Sequence, residues 1–163
     1  KAVIRNYRNF AAFRSVEEYA ADPASFGAGG DYWLSCFNEY LWLPDSKTKY
    51  DPCPQGYCVP VNNGYAWGAN FVAANISYTT GGLVYSYDGM TAFYPAAGYL
   101  KDMSGLQDGG KTVRLWAANL SGTVGAQTNM AANFLLGTLS SNSFKVNEAS
   151  RAGFALPIRC MKQ

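Results

Sequence analysis

The four cysteines of this chain are the residues whose type and spacing could do chemistry. They are Cys36, Cys53, Cys58 and Cys160, and the chain contains no histidine. A zinc site without histidine would need all four thiolates, and their spacing lacks the paired C-x2-C knuckles that such sites usually show. An even number of cysteines in a lysine-poor chain rich in tyrosine, glycine and asparagine instead favours disulfides in an exported protein.

Carboxylates and hydroxyls offer no recognisable catalytic set. The absence of histidine excludes the usual serine triad, and no G-x-S-x-G elbow occurs. Asp102 and Asp108 flank the stretch MSGLQ, and Asp88 lies in a predicted turn, so no alternating acidic run supplies calcium ligands. We therefore predict no catalytic residue, no metal and no cofactor. A carbohydrate-active enzyme stays open as an alternative, because two of the eleven carboxylates would suffice for glycoside hydrolysis.

Composition limits the classes of partner. The 163 residues suit a single domain spanning 1–163, and the 48% hydrophobic content excludes a disordered chain. The net charge of +2 is small and the basic residues are scattered, which argues against nucleic acid. No apolar run is long enough for a membrane span. We expect export to use a signal or anchor encoded upstream of Lys1.

A polar segment beginning at Trp116 is the candidate binding surface. Neutral amides and hydroxyls beside an aromatic ring can hydrogen-bond to and stack on sugars or peptides, although such residues are also ordinary in loops. The apolar neighbours Val113 and Leu115 favour a core position for the Trp116 ring. The candidate ligand-binding residues are Trp116, Asn119, Ser121, Asn129, Asn133 and Asn142.

Several elements must position these residues. The stretch FAAFRSVEEYAADPASFG predicts a helix capped by Ser15 and closed by Pro23 and Gly27, and a second helix or a strand follows it. Two β-prone runs, Leu83–Tyr87 and Met90–Tyr94, flank Asp88-Gly89 and predict a hairpin with a two-residue primed turn.

Two further segments complete the predicted α+β arrangement. The prolines of YDPCPQGYCVP, residues 50–60, predict a stiff turn or strand edge. In AGFALPIRCMK, apolar residues alternate with others from Phe154 to Cys160, which predicts a last strand with one buried face and, because of Pro157, an edge position. The fold class predicted from these elements is α+β with short antiparallel strands and long loops.

Three motifs in order resemble the Fibrobacter succinogenes major paralogous domain. They are YDPCPQGYCVP, DGMTAFYPAAGYL and SRAGFALPIRCM, and a tryptophan-centred segment around Trp116 lies between the last two. The resemblance extends from about Lys49 to Lys162. The chain departs from the family pattern at Cys58, where a basic residue is more usual, and at Leu100, where arginine is usual.

The resemblance implies a fold, a disulfide and a location. The fold would be C-type lectin-like, with one or two N-terminal helices, small antiparallel sheets and long loops. The family's cysteines in the first and last motifs imply a Cys53–Cys160 bridge, which would leave Cys36 to pair with Cys58. The competing arrangement is Cys53–Cys58 with Cys36–Cys160. The glycan-binding calcium motifs of such lectins, Glu-Pro-Asn or Gln-Pro-Asp and Trp-Asn-Asp, do not occur here.

These observations predict a non-enzymatic recognition or adhesion module. By resemblance it would be the C-terminal domain of a fimbrial or adhesin-like bacterial protein, on the outer-membrane surface or in an extracellular fimbria. Its partner would be a glycan or protein on a host or bacterial surface, bound through loops without calcium. The alternative is a structural domain of a pilus or surface assembly, whose partners are other fimbrial subunits.

Overall fold

Small antiparallel sheets make up the part of the chain that the structure describes. The computed structural model describes residue 21 and residues 41–61, 71–101, 105–124, 127–151 and 154–163. The strands are β1 (Tyr57–Cys58), β2 (Ile76–Thr79), β3 (Gly82–Tyr87), β4 (Met90–Pro95), β5 (Tyr99–Leu100), β6 (Leu106–Gln107), β7 (Thr112–Val124), β8 (Gln127–Thr138), β9 (Ser143–Arg151) and β10 (Met161–Lys162). A single turn of 3-10 helix, Ala73–Asn75, precedes β2. The predicted N-terminal helices lie outside the described residues, except for Ala21, which is helical, and for residues 41–44, which are not helical.

The hairpin predicted around Asp88-Gly89 is confirmed. Strands β3 and β4 pair in register from Tyr87 with Met90 to Gly82 with Pro95. Asp88 and Gly89 take φ values of 49° and 73°, as a two-residue primed turn requires. Strand β2 adds a third strand on the other side of β3, a strand that the sequence patterns did not indicate.

The two faces of the β2–β3–β4 sheet differ because side chains alternate along each strand. One face carries Leu83 and Tyr94, which are buried, with the partly buried Tyr78 and Tyr85 packed around them. The opposite face carries Gly82, Val84 and Phe93 with exposed serine and threonine residues. The first face is therefore the core face, and we call the second the outer face.

The second large sheet, β7–β8–β9, supplies the other half of the core. Val113 and Leu115 of β7 pack with Leu83, and Phe71 closes one side by stacking on Tyr85 with ring centroids 4.9 Å apart. Gly137 of β8 allows the sheets to approach, because a Cβ there would lie 2.7 Å from a Leu83 methyl carbon. Its missing side chain thus sets the spacing between the sheets.

The opposite face of β7–β8–β9 is covered by the C-terminal segment. Trp116 and Leu156 are buried there, and Phe154, Ile158 and Trp42 pack against them. The described residues therefore form three layers, with the β7–β8–β9 sheet in the middle.

The connector Ala96–Leu100, from the PAAGYL motif, joins these layers. Ala96 N–H donates to the Gly81 carbonyl, and Gly98 N–H donates to the Thr112 carbonyl. Gly98 has a φ of 69°, and a Cβ there would overlap the Gln107 carbonyl oxygen. The motif thus needs glycine at this position for both its backbone conformation and its space.

The last strand was predicted to be continuous, and this prediction is wrong. Ala155 forms an isolated bridge with Leu100, and only Met161–Lys162 forms a strand, β10, which pairs with β1. The predicted alternation is seen only at Leu156, which is buried, and Arg159, which is exposed, because the other residues from Phe154 to Cys160 are all partly buried. Pro157 explains the interruption, because it has no N–H to continue a ladder.

Two proline carbonyls close the outer edge of β7. Trp116 N–H donates to the Pro157 carbonyl at 3.0 Å, and Ala118 N–H donates to the Pro60 carbonyl at 2.7 Å. A proline carbonyl can accept such a hydrogen bond, but proline has no N–H to donate one back. These two N–H groups of β7 therefore have acceptors although no regular strand lies beside them. In the described ranges, no helix is long and apolar enough to cross a membrane.

Candidate functional site

The stiff segment at residues 50–60 is a covalent clamp. Cys53 and Cys160 form the predicted disulfide, with their Cα atoms 5.6 Å apart and a sequence separation of 107. Asp51 prepares this position: its Oδ1 accepts the Cys53 N–H at 2.7 Å and pairs with Lys47 Nζ at 2.9 Å. The Asp51 side chain is fully buried. Its hydrogen bond to the Cys53 N–H therefore stabilises the turn in addition to the prolines.

Cys58 does not form the predicted bridge. Its thiol is free and buried, and the predicted partner Cys36 lies outside the described residues. Cys58 is opposite Met161 in the β1–β10 ladder, so the neighbouring Cys160 projects from the other face of that ladder. Alternation along the strand therefore directs Cys160 to Cys53 and away from Cys58.

The Cys58 thiol is poorly suited to nucleophilic chemistry. Burial raises its pKa above the ordinary value of 9.0, the negative charge of Asp51 raises the pKa further, and Lys47 opposes this only in part. Thiolate is the reactive form, and a raised pKa reduces its fraction at neutral pH. Among the described residues, the combined effect of burial and of the neighbouring charges is to disfavour the thiolate.

Trp116 lies in the core. Its side chain is 5% exposed and packs with Leu156 under the C-terminal segment. The backbone N–H of Trp116 donates to the Pro157 carbonyl and holds this part of β7 against the C-terminal segment. Of the two readings of this residue, a core ring or a surface platform, the position matches the core ring.

Besides Trp116, four of the candidate residues lie along the β7–β8 hairpin. Asn119 and Ser121 belong to β7, and Asn129 and Asn133 belong to β8. The ladder shifts register between Trp116 and Leu120, where β7 has two extra residues including Asn119. It shifts again between Ser121 and Thr123, where β8 has an extra residue within the stretch Thr128–Ala131 that contains Asn129. Bulges of this kind re-aim side chains and often adjoin binding sites.

Asn142 belongs to a different place. It lies in the turn between β8 and β9, has a φ of 47°, and donates its N–H to the Leu139 carbonyl. The strand from Asn129 to Thr138 spans about 30 Å at about 3.3 Å per residue. Asn142 therefore lies at the far end of β8 from Asn129, where it shapes a turn, as asparagine commonly does.

Beyond Arg114, near the start of β7, the β7–β8 hairpin and the turn after it carry no formal charge. No Asp, Glu, Lys or Arg occurs between Arg114 and Lys145. Charged residues would favour ionic partners, whereas amides and hydroxyls favour partners recognised by neutral hydrogen bonds. The hairpin is thus the part of the described chain that best fits the predicted binding role.

A cluster of rings and cations near the PAAGYL motif escaped the sequence patterns. The Arg114 guanidinium lies 4.0 Å from the centre of the Tyr99 ring and pairs with Asp108 at 3.1 Å. Tyr99 in turn packs on Phe154, with centroids 5.5 Å apart, and Lys101 lies 6.0 Å from that second ring. These contacts join residues far apart in sequence, and no short motif could indicate them. The Arg114 charge is already paired, so the cluster ties the C-terminal segment to β5 and β7.

Asp88 lies in a turn and Asp108 in a bend, and neither belongs to a group of calcium ligands among the described residues. Asp88 and Asp108 both have positive φ, at 49° and 53°. Asp102 lies outside the described residues. Within the described ranges, no three acidic, cysteine or histidine side chains are grouped as a metal site would need.

Comparisons of the chain with protein-family models, with curated proteins and with solved structures found no match. The resemblance to the Fibrobacter succinogenes major paralogous domain therefore rests on the three motifs themselves. It stays a prediction, as does the lectin-like fold that it implies.

Proposed function

We propose that this chain is a non-enzymatic recognition module of an exported bacterial surface protein. It binds a glycan or a protein through the β7–β8 hairpin, without calcium. The motif resemblance adds the expectation of a fimbrial or adhesin-like protein with a C-type lectin-like fold.

The observation that carries the proposal is the β7–β8 hairpin. Its strands run for 13 and 12 residues, whereas every strand of the facing sheet has at most six. Two register shifts occur within this length, and each places a candidate asparagine at an irregular position. A long, irregular hairpin that carries no charge beyond Arg114 suits recognition, because loops and bulges can vary while the disulfide-linked scaffold stays fixed.

The disulfide supports export. Stable disulfides form in oxidising compartments and are rare in the cytosol. The Cys53–Cys160 bridge closes a loop that contains all strands from β1 to β9. A protein that functions outside the cell would benefit most from such a closure.

A glycan array and a pull-down from surface extracts test the proposal. We expect binding that is equal with and without a chelator and that is lost in the double variant Asn119→Ala/Asn129→Ala. Asn142→Gly is the matched control, since it removes an asparagine at the other end of β8 and keeps a residue that tolerates positive φ. Chelator-sensitive binding would refute the calcium-free mechanism, and the absence of any surface ligand would refute recognition.

A structural role in a surface assembly is the second candidate. Strand β9 ends its sheet, and no strand among the described residues pairs with its outer edge. Such an edge can accept a strand from another subunit. Amide hydrogen exchange would separate the two roles: protection of β9 on mixing with surface subunits, with β7–β8 unchanged, would favour assembly.

A further inference from the structure

The outer face of the β2–β3–β4 sheet has an unusual composition for an exposed surface. Its positions are set by three rungs, in which Ser77, Val84 and Phe93 align, Thr79, Gly82 and Pro95 align, and Ser86 faces Thr91. None of these residues is charged. An exposed aromatic ring within an uncharged, hydroxyl-bearing face is a surface suited to a neutral partner.

Phe93 forms a flat platform at the centre of this face. The side chain is 50% exposed although it is a large apolar group. A Cβ at position 82 would lie 2.7 Å from two atoms of the Phe93 ring, so the ring rests on the backbone of Gly82. One side of the ring is thus supported by the sheet, and the other is open to solvent.

Exposed hydroxyl groups surround the ring. Ser77 and Thr79 lie on β2, Ser86 on β3 and Thr91 on β4, and all four residues are exposed. Each hydroxyl can both donate and accept a hydrogen bond. From Gly82 to Ser86 the face extends about 13 Å at about 3.3 Å per residue, which is long enough to contact more than one sugar ring.

We propose that this outer face binds a neutral polysaccharide, with Phe93 as the stacking platform. The C–H face of a pyranose packs on the negative face of an aromatic ring, and sugar hydroxyls match the serine and threonine hydroxyls. The absence of charge from the rungs of the face complements a neutral glycan. Asp88 in the turn and Arg159, which donates to the Phe93 carbonyl, border the face and lie outside its rungs.

This inference rests on the proposed recognition function and assigns it a second surface, separate from β7–β8. Phe93 and Tyr87 provide the matched pair for a test. Both are exposed aromatics of one hairpin, but Tyr87 projects from the core face of the sheet. Phe93→Leu keeps an apolar contact on Gly82 and removes the ring, whereas Phe93→Trp keeps a ring.

Native affinity electrophoresis in gels containing mixed-linkage β-glucan, xylan or galactomannan measures the binding. We expect at least one of these polymers to retard the wild-type chain, and Phe93→Leu to weaken the affinity about tenfold. Phe93→Trp and Tyr87→Leu should bind like the wild type. Retardation should persist in about 1 M sodium chloride, where the Debye length is about 3 Å. Polygalacturonate, which is acidic, should not retard the chain.

Three results would overturn the inference. Retardation lost in Asn119→Ala/Asn129→Ala but kept in Phe93→Leu would place glycan binding on β7–β8 and leave the proposed function standing. If no neutral polymer retards the chain, the outer face does not bind a neutral polysaccharide. The glycan array and the pull-down would still test the proposed function independently. A dimer in sedimentation velocity that Phe93→Leu dissociates would show that a second copy covers the face.

Discussion

Single glycines decide where the backbone of this protein can turn and approach itself. Gly98 and Gly89 both have positive φ, at 69° and 73°, but only Gly98 is enclosed. At Gly89 a Cβ would meet nothing within 4 Å. Substituting each glycine by alanine therefore distinguishes the cost of a positive φ, which both positions share, from the cost of steric overlap, which only position 98 has.

We expect Gly98→Ala to destabilise the fold by more than about 2 kcal/mol, and Gly89→Ala by about 1 kcal/mol. The difference arises because the added methyl group at position 98 overlaps the backbone of β6, while the one at position 89 projects into open space. Chemical denaturation of the two variants measures both values. Equal losses would show that the connector can move aside.

The buried thiol of Cys58 provides a second test. Because burial and Asp51 raise its thiol pKa, we expect slow alkylation by iodoacetamide near pH 8 and faster reaction as the pH rises. The raised pKa also means that the folded state holds the proton longer than the unfolded state does. The stability of the wild type relative to Cys58→Ser should therefore fall as the pH rises from 9.0 toward the folded pKa. Rapid alkylation at neutral pH would contradict the buried environment.

At the scale of elements, local signals predicted what local geometry controls. The Asp88-Gly89 turn was evident because a two-residue primed turn needs residues that tolerate positive φ. Its register then aligns Val84 with Phe93, so the centre of the outer face could have been derived from the hairpin. Strand β2 has no such marker. The prediction of a continuous C-terminal strand is wrong because an alternating pattern indicates burial and does not indicate which groups accept the hydrogen bonds of the segment.

The candidate site was predictable only in part for a related reason. Composition identified the polar stretch on β7 and β8, but the distance of Asn142 from Asn129 follows from strand pairing, which no motif specified. The Arg114–Tyr99–Phe154 contacts join three separate segments, and such contacts follow from tertiary packing alone. The Cys53–Cys160 pairing came from the motif resemblance, since four cysteines allow three connectivities.

Arg159 links two elements and can be tested at that scale. Its guanidinium donates to the Phe93 carbonyl at 2.9 Å and lies 4.2 Å from the centre of the Tyr94 ring. We expect Arg159→Ala to lower the free energy of unfolding by about 1–2 kcal/mol, and Arg159→Lys to lose less. Urea denaturation measures the loss. An unchanged midpoint in Arg159→Ala would mean that the C-terminal segment is held without this side chain.

For the whole molecule, the disulfide is the largest single constraint. Replacing both Cys53 and Cys160 by alanine should cost about 4–5 kcal/mol, because the bridge closes a loop of 107 residues in the unfolded chain. Cys58→Ala is the control, as it removes a buried sulfur without opening a loop. In thermal denaturation, a reductant should lower the melting temperature of the wild type and of Cys58→Ala, which contain the bridge. It should leave the melting temperature of the double variant unchanged. A similar loss in Cys58→Ala would show that packing, rather than loop closure, dominates.

The clamp also determines how the protein responds to mechanical load. Tension applied to the chain on either side of the bridge passes directly from Cys53 to Cys160 through the sulfur atoms. The 106 residues between them, which include β1 to β9, cannot be drawn out until that covalent bond breaks. In a single-molecule pulling experiment, the oxidised chain should therefore lengthen only by the segments outside the loop, and reduction should release the rest.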